Sequence, residues 1–124
     1  MTASRALLHV CTTCRAGTEP IEGVPVPGAL LHARLAVLLA EHAAPVSLLD
    51  AKCLSTCGHG CAAALAMPGK WTYLLGGLDL HHAPDLLAYA ATYAASATGV
   101  VMPSRRPASL AAIVRGRVPP LPAT

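Results

Sequence analysis

Two cysteine pairs carry the densest chemistry in the chain. Cys11-Thr12-Thr13-Cys14 and Cys53-Leu54-Ser55-Thr56-Cys57 each set two thiols a few residues apart, a spacing that lets neighbouring sulfurs reach one iron or zinc ion. Together they offer four thiolates, enough to close a zinc site or to hold an iron–sulfur cluster. Gly58 and Gly60 leave backbone amides open beside the second pair, and amides directed at cluster sulfides are one lever on reduction potential. The fifth cysteine, Cys61, heads an apolar stretch and reads first as a buried thiol packing like a small hydrophobe. Cys61 and His59, which sits between the two glycines, are secondary ligand candidates.

A dithiol reading of Cys11 and Cys14 competes with the metal reading. It needs the first cysteine at a helix N-terminus, where the dipole lowers the thiol pKa. Here Gly17, Pro20, Gly23, Pro25 and Pro27 follow instead, so the sequence predicts a loop and the dithiol reading ranks below metal binding. His9, His32 and His42 are scattered singly, and His81 and His82 precede a helix start, so none receives a role. No serine, histidine and carboxylate arrangement, paired carboxylates, phosphate loop or dinucleotide fingerprint is present, and the expectation is a carrier or binding protein with no catalytic residue.

The elements that position the cysteines follow from pattern. Residues 5–10 read as a buried strand delivering the chain to Cys11. The segment 15–28 is a Pro/Gly loop, and Leu30, Leu31, Leu35, Leu38 and Leu39 at helical spacing predict a helix over 28–43. Pro45 ends it, and Val46–Leu49 predicts a second strand leading to Cys53. Cys61–Met67 and Trp71–Leu75, separated by Pro68-Gly69-Lys70, predict a hairpin. Pro84 and Asp85 open a helix over about 86–97, ended by Gly99, and Pro107 opens a shorter helix ending near Gly116. The resulting β-α-β-β-β-α order with a C-terminal extension predicts an α/β fold of thioredoxin-like type, a single domain over 1–118 with a Pro-rich tail over 119–124.

Composition narrows the rest. Phenylalanine is absent and hydrophobic residues make up 54%, so the interior must be aliphatic, with Trp71 and three tyrosines; for Trp71 a core role is preferred to screening a metal centre. His32, Arg34, Glu41 and Asp85 interrupt the apolar stretches that might span a membrane, and residues 1–10 lack a signal-peptide pattern. The expectation is a soluble, cytoplasmic protein, where clustered cysteines favour metal binding over disulfides. A net charge of +3, with arginines concentrated near the C-terminus and no interleaved aromatics, argues against nucleic acid; Lys70 and those arginines could steer an acidic partner, although a solvated surface is the ordinary explanation.

These residues also carry a resemblance. Cys53-Leu54-Ser55-Thr56-Cys57 resembles the CLxxC element of thioredoxin-like [2Fe-2S] ferredoxins and of the small cluster-bearing subunit of NADH dehydrogenases, and Gly69-Lys70-Trp71-Thr72-Tyr73 is similar to their terminal hairpin turn. More closely, VCTTCR, CLSTCGHGC and PGKWTYLLGGLD, within residues 8–120, resemble a bacterial family of predicted small metal-binding proteins of unassigned function, often encoded beside cobalamin-biosynthesis genes. The resemblance implies Cys11, Cys14, Cys53 and Cys57 as ligands, a [2Fe-2S] cluster or alternatively zinc, a protein redox partner or metal acceptor, and possible homodimers. Linkage to cobalamin would make cobalt supply a candidate role. CxxC is tighter than the first cysteine spacing of the established ferredoxins.

Overall fold

The computed structural model describes residues 5–15, 19, 21–52, 54 and 60–122. Its scaffold is a mixed α/β arrangement of one five-stranded sheet and two α-helices. Strand β1 (Ala6–Cys11) leads through α1 (Pro27–Glu41) to β2 (Val46–Ala51), which pairs with it in parallel, Ala6 opposite Val46 and Cys11 opposite Ala51. Strands β3 (Cys61–Ala66) and β4 (Thr72–Leu78) form the expected hairpin, turning through Gly69 at φ +74°. β3 runs antiparallel to β1. A 3-10 turn, Leu80–His82, then opens α2 (Ala83–Ala95).

The C-terminal extension departs from expectation. Pro107 does not open a helix to Gly116: a 3-10 turn at Ala108–Leu110 gives way to a fifth strand, β5 (Val114–Val118), antiparallel to β4. Val114-Arg115-Gly116-Arg117-Val118 alternates with period two, a pattern that suits an edge strand, and pairing with β4 outweighs the helix start that Pro107 offered. The sheet order is β2-β1-β3-β4-β5.

Both helices lie on one face of the sheet, since α1 and α2 touch each other and both rest on β1 and β2. The alternation along β1 follows: Ala6, Leu8 and Val10 are buried while Leu7 and His9 are half-buried. α1 buries Gly28, Leu31 and Leu35, one side of the helix, whereas Leu30, expected inside, is exposed. The aromatic payload sits under α2. Tyr73 of β4 meets Tyr89 and Tyr93 edge-on at 6.1 and 6.0 Å between ring centroids, the arrangement that ring quadrupoles favour. Gly99 lies beyond the helix it was expected to end, at φ +82°, where a Cβ would come within 2.7 Å of the Lys70 side chain and 3.0 Å of Trp71 N. Its role is to let the chain cross the hairpin closely.

Candidate metal centre

Cys11 is the last residue of β1, so the sheet itself delivers the first thiol to one end of the domain. The end is shared: β2 finishes at Ala51 beside Cys11, β3 begins at Cys61, and β4 finishes at Leu78 opposite Cys61. Beyond the strand, Thr12 N–H continues the ladder by donating to Ala51 O at 2.9 Å. The Thr13 hydroxyl bonds to Lys52 O. These bonds tie the CxxC turn to the end of β2.

Both thiols of the turn are buried, Cys11 at 0% and Cys14 at 3% exposure. The Cys11 thiol donates to Lys52 O at 3.4 Å, and the Cys14 thiol donates to Gly60 O at 3.2 Å. Lys52 and Gly60 are the residues that bracket the segment carrying the second pair in the chain. Cys53, Cys57 and His59 themselves lie outside the described residues.

The start of α1 packs directly on this turn, which the sequence did not reveal. Thirteen residues separate Cys14 from Gly28 along the chain, yet Gly28 N–H donates to Cys14 O at 2.9 Å. A Cβ at Gly28 would lie 2.0 Å from Cys11 O and 3.1 Å from Cys14 Cβ. Only hydrogen fits there. No helix follows Cys14 closely along the chain, as the loop reading expected, yet the first turn of α1 packs against the CxxC turn in space.

Gly60 is the second point of close approach. A Cβ there would meet Gly77 Cα at 2.5 Å and Leu78 N at 3.0 Å, so the backbone re-enters the sheet in contact with the end of β4. Cys61 follows at 0% exposure in the first position of β3, as buried as Cys11 and Cys14. Among the described residues, Cys11, Cys14 and Cys61 do not converge as a three-donor group.

The remaining expectations are met unevenly. Lys70 donates to Ala94 O at 2.8 Å near the end of α2 and lies 5.8 Å from the Tyr93 ring centroid. Arg117 stacks over Trp71 at 4.6 Å. Trp71 packs partly buried against the core, and its carbonyl accepts from the Tyr93 hydroxyl at 2.5 Å. Burial pushes the Tyr89 hydroxyl up to about 12, with Arg106 opposing that rise. His81 and His82, expected to be plain loop residues, instead gather with Asp79 into a group of three possible metal donors within 4.8 Å of one another. A D-x-H-H run ahead of a helix-opening proline was the available signal.

No helix among the described residues is long and apolar enough to cross a membrane. No curated protein and no solved structure matches the chain. One family does match, over residues 8–120, which includes the CxxC turn, the second cysteine pair and every sheet strand but the first two residues of β1. The chain belongs to the family described as "Protein of unknown function (DUF1636)".

Proposed function

We propose that this protein is a metal-centre protein of thioredoxin-like fold, holding a [2Fe-2S] cluster on Cys11, Cys14, Cys53 and Cys57 and serving as a one-electron carrier for a protein partner. The observation that carries the reading is the pair of thiol hydrogen bonds to Lys52 O and Gly60 O. They aim both sulfurs of the first pair at the two stems of the segment that carries the second. The strand order supports the fold assignment, with parallel β1 and β2 joined by a helix and an antiparallel hairpin beside β1.

The donor chemistry fits the group. Four thiolates satisfy an iron–sulfur cluster. Such a cluster supplies reversible one-electron chemistry. The chain's own contribution is to fix the first pair through the Thr12 and Gly28 backbone bonds and the Thr13 hydroxyl, to bury its sulfurs, and to present the site at the end of the sheet. A carrier of this kind needs no catalytic residue.

Protein purified without oxygen decides the matter. The expected result is two irons and two sulfides per chain, with visible charge-transfer absorption that bleaches with dithionite and returns on reoxidation. Colourless protein with stoichiometric zinc would replace the carrier with a metal-handling protein, zinc having no redox chemistry; a stoichiometric cobalt preference would point that role towards cobalt supply. Metal-free protein with a reversible Cys11–Cys14 disulfide would make it a dithiol oxidoreductase.

A further inference from the structure

We propose that Asp79, His81 and His82 form a second metal site, separate from the thiols, for a divalent ion of the zinc class. One carboxylate and two imidazoles are a donor set that suits zinc, cobalt and nickel. The atoms already converge. His82 Nδ1 lies 3.8 Å from Asp79 Oδ1, His81 Nδ1 touches the same oxygen, and all three donors fall within 4.8 Å of one another. Nitrogen and oxygen ligands bind zinc at roughly 2.0–2.2 Å, so two of them on one tetrahedral ion stand about 3.4 Å apart. His82 and Asp79 are within a few tenths of an ångström of that spacing, the His81–Asp79 contact must open, and the two imidazole donors, within 4.8 Å of each other, must draw together by as much as about 1.4 Å.

Helix capping accounts for only part of the cluster. Asp79 Oδ1 accepts from His81 N–H at 2.9 Å, and His82 Nδ1 accepts from Asp79 N–H at 2.9 Å, the reciprocal bonds of a capping box. The His81 imidazole takes no part in that cap. Its side chain is 69% exposed, and yet the ring folds back onto Asp79 and lies against His82 at 4.2 Å between centroids. The His82 ring is held rigidly, only 8% exposed, so one ligand is already positioned. An ion would take the His82 nitrogen from the Asp79 amide, and that amide belongs to an exposed residue that water can reach.

The site stands beside the thiols without depending on them. Asp79 directly follows Leu78, which pairs with Cys61 at the sheet end where Cys11 closes β1. The inference holds whether or not the cysteines bind metal.

Calorimetric titration of zinc into the full-length reduced, metal-free protein tests it. In the wild type, a class of zinc binding is expected that His81→Ala weakens at least about tenfold and Cys14→Ser leaves in place. Cobalt held there should give visible ligand-field bands without thiolate-to-cobalt charge transfer. His81 is exposed, so its loss should leave the thermal melt unchanged, and Leu80→Ala controls for altering the turn. Zinc binding that is the same in His81→Ala as in wild type, or lost entirely in Cys14→Ser, overturns the proposal, as does a wild type that binds no zinc. Failure of the thiolate reading looks different: Cys14→Ser then binds as wild type does, while His81→Ala still loses affinity.

Discussion

Gly28→Ala sets a general rule against a local contact. In an ordinary helix this change stabilises by up to about 1 kcal/mol, because alanine has the better propensity. Here the new methyl would sit 2.0 Å from Cys11 O, against 3.4 Å for ordinary contact, so about 1.4 Å must open between α1 and the CxxC turn. The obstacle is backbone, and no rotamer change relieves it. Overpacking of this kind costs about 1–3 kcal/mol, and pulling Gly28 N–H from Cys14 O removes a bond worth about 1 kcal/mol. Set against the propensity gain, the net loss is about 2 kcal/mol, or a melting temperature lower by roughly 6–10 °C for a domain of this size. Urea titration and thermal melting of the apoprotein measure it. Two glycines serve as controls. Gly69→Ala meets no atom within 4 Å but sits at φ +74°, so it should lose about 1 kcal/mol from backbone strain alone. Gly116→Ala meets nothing nearer than 3.9 Å, at ordinary φ, and should be close to neutral. If Gly28→Ala melts at or above the wild-type temperature and keeps the same metal content, α1 does not pack on the cysteine turn as described.

Tyr73→Phe removes the hydroxyl that accepts Val101 N–H at 3.0 Å in a buried setting, and an orphaned buried donor should cost about 1–3 kcal/mol in a urea melt. Tyr89 gives a pH signature: its pKa is raised from 10.0 to about 12, so the folded state disfavours the phenolate. The associated stability should be intact below pH 10 and be lost as pH rises from 10 to about 12; Tyr89→Phe should flatten that part of the stability profile, and an unchanged slope would refute the assignment. For metal content, Cys11→Ser and Cys14→Ser should each abolish the centre while Cys61→Ser retains it, and retention in Cys14→Ser with loss in Cys61→Ser would reverse the ligand assignment.

The strands and helices that deliver the CxxC turn were legible because their signals are local: an apolar run before Cys11, leucines at helical spacing, a Pro-Gly-Lys turn between two apolar stretches. β5 was not, because Pro107 is a strong local helix start, whereas the attraction of Val114–Val118 to β4 is a tertiary term the chain does not advertise. Leu30 shows the same limit. Its spacing fits the buried side of α1, but the inward arc is set by Gly28, which must face Cys14, and that leaves Leu30 outside. The contact between α1 and the cysteine turn spans a Pro/Gly loop, so no sequence window contained both partners. His81 and His82 were passed over for a comparable reason: adjacent residues gain a shared target only when a turn folds both rings towards Asp79.

The contact of Gly60 with Gly77 acquires a further meaning when the second cysteine pair is treated as half of a chelate. Lys52 is held by the CxxC turn and Gly60 is pressed against β4, so the two ends of the seven-residue stretch between them are set when the domain folds. In the proposed centre, capture by Cys53 and Cys57 of an ion bound to Cys11 and Cys14 would be an intramolecular event, governed by the effective concentration of a short tethered segment rather than by free encounter. The entropy of bringing those two ends together is spent at folding. A bulkier residue at position 60 would loosen one tether, and its effect should fall on the dissociation rate of the metal more than on which metal is chosen.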